Sequence, residues 1–124
     1  MLRKNTLSAL ITFATLSFAT SVFAGEADVV AVEATKTGNG TWRFDVTVAH
    51  GDEGWDHYAD KWEVVAPDGT VLATRVLAHP HVDEQPFTRS KSGISIPEGI
   101  NEVTVRAGDS VHGIGGKVMK VSVE

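Results

Sequence analysis

Three observations predict an all-β fold for this chain, a seven-stranded antiparallel β-sandwich of the immunoglobulin/fibronectin-like kind. Apolar and polar residues alternate with period two, and no stretch keeps a 3.6-residue period. Turn chemistry recurs at intervals of roughly ten residues, as short strands require. The segment left after an N-terminal leader, 25–124, is 100 residues, enough for one core and one domain. A small β-barrel is the alternative that shares these signals.

The strands are taken in chain order. Asp28 to Thr35 offers Val30, Val32 and Ala34 to one face, and Lys36 to Gly40 supplies a turn. The next run is the clearest, with Trp42, Phe44, Val46 and Val48 alternating with Thr41, Arg43, Asp45 and Thr47. Lys61 to Ala66 places Trp62, Val64 and Ala66 together, and Trp62 suits the core position such sandwiches often fill with tryptophan. Pro67-Asp68-Gly69 turns the chain into Thr70 to Ala78, where Leu72 with Val76 competes against Val71 with Leu77 for the core. Ser92 to Ile96 is a short strand carrying Ile94 and Ile96. Pro97-Glu98-Gly99 leads to Asn101 to Ala107, and Lys117 to Val123 is the last strand.

If successive strands run antiparallel, the connections sort into two ends. Short turns at 36–40, 67–69 and 97–99 share one end, and long connections at 50–60, 79–90 and 108–116 share the other. All five histidines, His50, His57, His79, His81 and His112, lie in those long connections. So do Asp52, Glu53, Asp56, Asp60, Asp83, Glu84 and Asp109, with Arg89 as the lone Lys/Arg cation. Loops held by a rigid sandwich are where such folds carry binding residues, so this end is expected to be functional.

Trp55 to Asp60, His79 to Arg89 and Asp109 to Gly113 together resemble a family of small exported bacterial proteins of uncharacterised function. The resemblance implies export and no particular activity.

Without a thiolate, imidazole and carboxylate are the ligand set for Zn²⁺ or Cu²⁺. His79 and His81, two apart, would point to one side of an extended segment, and His57 and His112 could complete a site. His50 continues the inward parity of Trp42 to Val48 and is expected beneath the loops as a packing or supporting residue. A second reading makes the same residues structural ties, with Arg89 bridging Asp56, Asp60 or Glu84, partly buried, over a cluster of Trp55, Tyr58 and Phe87. A third, from another class, is a recognition module that contacts a protein or small ligand through Trp55, Tyr58, Phe87 and Arg89. Calcium on Asp52, Asp56, Asp83 and Asp109 matches no known loop spacing. Catalysis has little support: Ser90, Ser92 and Ser110 sit in no nucleophile elbow, and Gly113-Ile114-Gly115-Gly116 lies in no helix-opening context.

Residues 1–24 carry Arg3 and Lys4, an apolar run from Leu7 to Phe18, and Val22-Phe23-Ala24 before Gly25. This is the pattern of a cleaved signal peptide, and interrupting Ser and Thr residues make it a poor membrane span. The mature domain is expected to be periplasmic or secreted, monomeric and free of the membrane. No cysteine is present, so neither a disulfide nor a lipidated N-terminal cysteine is expected. Removing Arg3 and Lys4 from the 11 basic residues leaves 9 against 16 acidic, a net charge of −7, which disfavours nucleic acid and anionic lipid as partners. Intact-mass measurement of exported protein should show a chain beginning at Gly25. Residues 1–24 retained in a membrane fraction would contradict cleavage.

Overall fold

The computed structural model describes residues 25–124, and the leader expected at 1–24 lies outside the described residues. Seven antiparallel strands form two sheets: β1 (Asp28–Gly38), β2 (Thr41–Ala49), β3 (Ala59–Val65), β4 (Val71–Val76), β5 (Phe87–Ser95), β6 (Glu102–Asp109) and β7 (Gly113–Ser122). One sheet has the order β1-β2-β5 and the other β4-β3-β6-β7. The expected antiparallel sandwich is therefore present, and among the described residues there is no helix.

The core is the layer between the sheets, as the alternation requires. Trp42, Phe44, Val46 and Val48 of β2 face Trp62 and Val64 of β3 and Val103, Val105 and Ala107 of β6, all buried. Phe87 and Ile94 of β5 and Leu77 after β4 fill the remaining space. Burial of this kind stabilises by about 25 cal/mol per Å² of apolar surface removed from water.

β1 departs from simple alternation. A register irregularity between Val29 and Ala31 sends Val29 inward and leaves Val30 43% exposed, where alternation alone placed Val30 inside. An extra residue in one strand flips the facing of the residues after it. The ambiguity in β4 resolves as Leu72 half-buried in the strand and Leu77 buried just beyond it, with Val71 and Val76 exposed. β5 starts at Phe87, five residues earlier than the Ser92 expected, because it pairs with β2 as far as Val48, and that pairing shifts between Trp42 and Phe44. Gly93 at φ 69° accommodates the bulge, so Phe87 and Ile94 both face inward across an odd spacing.

The end expected to carry the site has two long connections, 50–58 and 77–86, and one tight turn, 110–112. The third was expected to be long. β6 runs two residues further than its apolar row suggested, and β7 takes in the glycines at 113, 115 and 116. Asp109 pairs directly with Gly113, whose φ of 73° closes the three-residue hairpin.

A candidate metal centre at the loop end

Two inward-facing rows of the core end in polar residues. His50 comes after Trp42, Phe44, Val46 and Val48, and Asp109 after Val103, Val105 and Ala107. Both are buried, and they belong to opposite sheets, so they meet at one mouth of the sandwich. His57 enters from the 50–58 loop, just before β3. One ligand atom from each of His50, His57 and Asp109 lies within 4.8 Å of the others.

The atoms that converge are defined. His50 Nε2 lies 3.3 Å from His57 Nε2 and 2.9 Å from the carbonyl oxygen of Gly25. His57 Nε2 lies 3.1 Å from Asp109 Oδ1. On the far side of each ring a carboxylate takes the other nitrogen: His50 Nδ1 is 2.5 Å from Asp52 Oδ1, and His57 Nδ1 is 3.3 Å from Glu53 Oε1. When Nδ1–H donates outward on both rings, both Nε2 lone pairs face inward. Two imidazole nitrogens and two oxygens then converge with no donor among them, an arrangement that a cation or a shared proton relieves.

Asp109 is held by its own turn. Its Oδ1 accepts from the backbone N–H of Val111 (2.9 Å) and His112 (2.8 Å), and His112 Nδ1 lies 3.1 and 3.2 Å from its two oxygens. Burial works to raise the Asp109 carboxyl pKa, but the two backbone donors and the His112 imidazole outweigh it and hold the group ionised below the usual carboxylate range. The turn is itself docked: Ser110 N–H donates to the Tyr58 carbonyl at 2.9 Å, and Tyr58 N–H donates to Ser110 Oγ at 3.0 Å.

Beneath the cluster, fully buried Asp52 ties the loops together. Beyond its contact with His50, Oδ1 accepts from Ala59 N–H at 3.0 Å and Oδ2 from His81 N–H at 2.7 Å. Gln85 adds a second tie, accepting from His50 N–H at 3.0 Å and donating to the His81 carbonyl at 2.9 Å.

The fold distributes the residues singled out by sequence unevenly. His57 lies within the cluster, His112 clamps Asp109, and His50 is buried beneath the loops, as expected, with its Nε2 in the converging group. His79 is exposed, with Nδ1 3.1 Å from the Pro80 carbonyl oxygen. His81 is buried and stacked on Phe87 at 3.9 Å, with neither ring nitrogen partnered. His79 and His81 pack ring to ring at 4.7 Å, and neither joins the converging group. Phe87 is a core residue at the start of β5. Arg89 sits 5.6 Å over its ring and pairs with Glu84 at 3.1 Å, the two side chains 32% and 58% exposed, so the expected pairing is with Glu84 at the surface. Trp55 is 68% exposed and edge-on to Tyr58 at 5.6 Å. Asp56 is exposed and Asp60 half-buried in β3. Gly25, Asp52 and Glu53 are the participants that residue type alone did not single out as site residues. Their signal was position: Asp52 and Glu53 lie two and three residues past His50, and Gly25 at the expected cleavage point.

A protein of Halomicrobium mukohataei named "Putative lipoprotein" is 44% identical to this chain over 99 residues, which is 80% of this chain and 48% of that protein. The chain thus spans about half the length of that relative. No protein-family profile matches the sequence, and no solved structure matches it.

These contacts make Asp52 and His81 testable. Asp52→Ala strands three donors in a dry setting, so urea denaturation should show a loss of about 3–5 kcal/mol, with Asp52→Asn in between. A loss under about 1 kcal/mol would mean the loops are tied elsewhere.

For His81, burial first, then the positive charges of Arg89 and His79, lower its pKa from the ordinary 6.5. Its folded pKa is depressed, so the unfolded chain takes up the proton first as pH falls. Its share of stability is complete above about pH 6.5 and is lost progressively below it. His81→Phe keeps the stack on Phe87 and removes two unpartnered nitrogens. At pH 7.5 it should leave stability equal or raise it by about 1 kcal/mol, and it should flatten the decline between about pH 6.5 and 5.5. An unchanged pH slope with lower stability would contradict this account.

Proposed function

We propose that this chain is an exported β-sandwich protein that binds one divalent transition-metal ion, Cu²⁺ or Zn²⁺, through His50 Nε2, His57 Nε2 and Asp109 Oδ1. The observation that carries the reading is the double orientation of the imidazoles. Each has Nδ1 on a carboxylate and Nε2 aimed at a common point, the outer-shell arrangement that fixes the tautomer of a metal-binding histidine. The spacing agrees. Bonds of roughly 2.0–2.1 Å in a tetrahedral site put neighbouring ligands about 3.3 Å apart, against 3.3 Å between the two Nε2 atoms and 3.1 Å from His57 Nε2 to Asp109 Oδ1 here. Two imidazoles and a carboxylate suit late first-row divalent ions, with Cu²⁺ the tightest by the general affinity order. Export is supported by the leader pattern at 1–24 and by the description of the Halomicrobium relative as a lipoprotein. The proposed mature form is a domain released to the periplasm or the medium by cleavage of the leader at 1–24.

Exposed Trp55, edge-on to half-buried Tyr58 at the same end, favours a second reading, a contact surface for a protein or small ligand. That surface would not depend on the histidines, so the two readings separate by mutation.

Calorimetric titration of metal-stripped protein at pH 7.5 tests the proposal. One saturable site tighter than about 100 μM, roughly −5.5 kcal/mol, is expected. Affinity should weaken at pH 5.5, because ligand imidazoles must be neutral, and the melting temperature should rise with bound metal. His57→Ala should abolish the site, while His81→Phe should leave it intact. No saturable binding, or binding that survives His57→Ala, would sink the reading.

A further inference from the structure

Gly25 is half-buried, and its carbonyl oxygen sits 2.9 Å from His50 Nε2, at the edge of the converging group. The segment around it is fixed along β7. Glu26 Oε1 accepts from Gly116 N–H at 3.3 Å, Asp28 Oδ1 accepts from Lys117 N–H at 2.8 Å, and Ala27 is wholly buried between them. Gly25 is also the residue at which the leader pattern predicts cleavage. The same residue is therefore the expected first residue of the exported chain and a neighbour of the cluster.

We infer that removal of the leader completes the metal site, the new α-amino group of Gly25 becoming a ligand beside its own carbonyl oxygen, so that metal loading is coupled to export. This rests on the metal reading of the His50/His57/Asp109 cluster and extends it. Hydrolysis of the Ala24–Gly25 peptide bond by a signal peptidase consumes one water: the hydroxyl goes to the Ala24 carbonyl carbon, and the proton goes to the Gly25 nitrogen. Before cleavage that nitrogen is an amide whose lone pair is delocalised into the carbonyl, and it binds no metal without losing its proton. After cleavage it is an amine, and its lone pair is free once the ammonium proton passes to solvent. Amine nitrogen and carbonyl oxygen of one residue close a five-membered ring on a metal ion. With both imidazoles and Asp109 the donor set becomes three nitrogens and two oxygens, which a tetragonal Cu²⁺ accepts more readily than the tetrahedral geometry Zn²⁺ prefers. The unprocessed chain, retaining its leader, would lack the amine and hold Cu²⁺ weakly.

The test compares the exported protein beginning at Gly25, verified by intact mass, with the same chain carrying a short Ser-Gly-Ser-Gly extension before Gly25. Competition against a Cu²⁺ chelator gives affinity, and electron paramagnetic resonance counts coordinating nitrogens. The processed form should bind Cu²⁺ at least tenfold more tightly and show three nitrogens against two, while Zn²⁺ affinity changes less. Equal affinity within twofold and an equal nitrogen count would overturn the inference and leave the cluster reading intact. Failure of both forms to bind Cu²⁺ would overturn both. His50→Ala in the processed form separates a ligand at the cluster from one elsewhere: if it binds Cu²⁺ as tightly as the unaltered protein, the amine acts away from the cluster and the inference fails.

Discussion

The loop end of this protein depends on one buried carboxylate. Asp52 takes an imidazole and two backbone N–H groups from three separate places: His50 at the exit of β2, Ala59 at the start of β3, and His81 in the connection to β5. A buried carboxylate is costly unless its oxygens are fully used, and each hydrogen bond to a charged group contributes about 1.5–3 kcal/mol net. In a domain with no disulfide, that single side chain sets the mutual position of two loops. It also presets chemistry, because the contact that stabilises Asp52 turns His50 so that Nε2 faces His57 and the Gly25 carbonyl oxygen. Stability and site geometry are thus one constraint here. A change at Asp52 would be felt at the cluster through ring orientation as well as through loop position.

The placement of the site is a consequence of strand parity. In a sandwich, alternate residues of every core strand enter the interior, and the row ends where the strand leaves the sheet. Continuing the rows by one step puts His50 and Asp109 at the same mouth from opposite sheets. The apolar layer below excludes water and the loops above supply His57 and the outer carboxylates. The hairpin 110–112 adds backbone donors that keep Asp109 ionised. Each part is ordinary β-sheet geometry, and their coincidence at one end gives the cluster.

Much of this was legible in the sequence. The β2 alternation determines its facing and carries His50 inward, and the connection parity gathers every histidine at one end. Asp109 was within reach of the same reasoning, since it lies two residues past Ala107. The glycines after it suggest a long connection, whereas in the fold they serve as bulge and turn positions of β7. The bulges themselves were not legible. Those near Val30 and at Gly93 reset facing without changing composition, which is why Val29 and not Val30 is interior and why the polar run from Thr88 to Ser92 hid a strand. The role of His81 was also hidden, because spacing alone could not distinguish a ring directed at a metal from one stacked on Phe87. Asp52 and Glu53 looked like two more loop carboxylates, and only the fold shows which nitrogen each one faces.

The central claim is that His50 and His57 present Nε2, with Asp109, to a single ion. A crystal structure of the Zn²⁺- or Cu²⁺-soaked exported protein, with the ion located by its anomalous scattering, tests it most directly. The account predicts one strong peak bonded to His50 Nε2, His57 Nε2 and Asp109 at about 2.0–2.2 Å, with both Nδ1 atoms still on Asp52 and Glu53. A peak at His79 and His81 instead, or no peak at the cluster with the two imidazoles still in mutual contact, would contradict it.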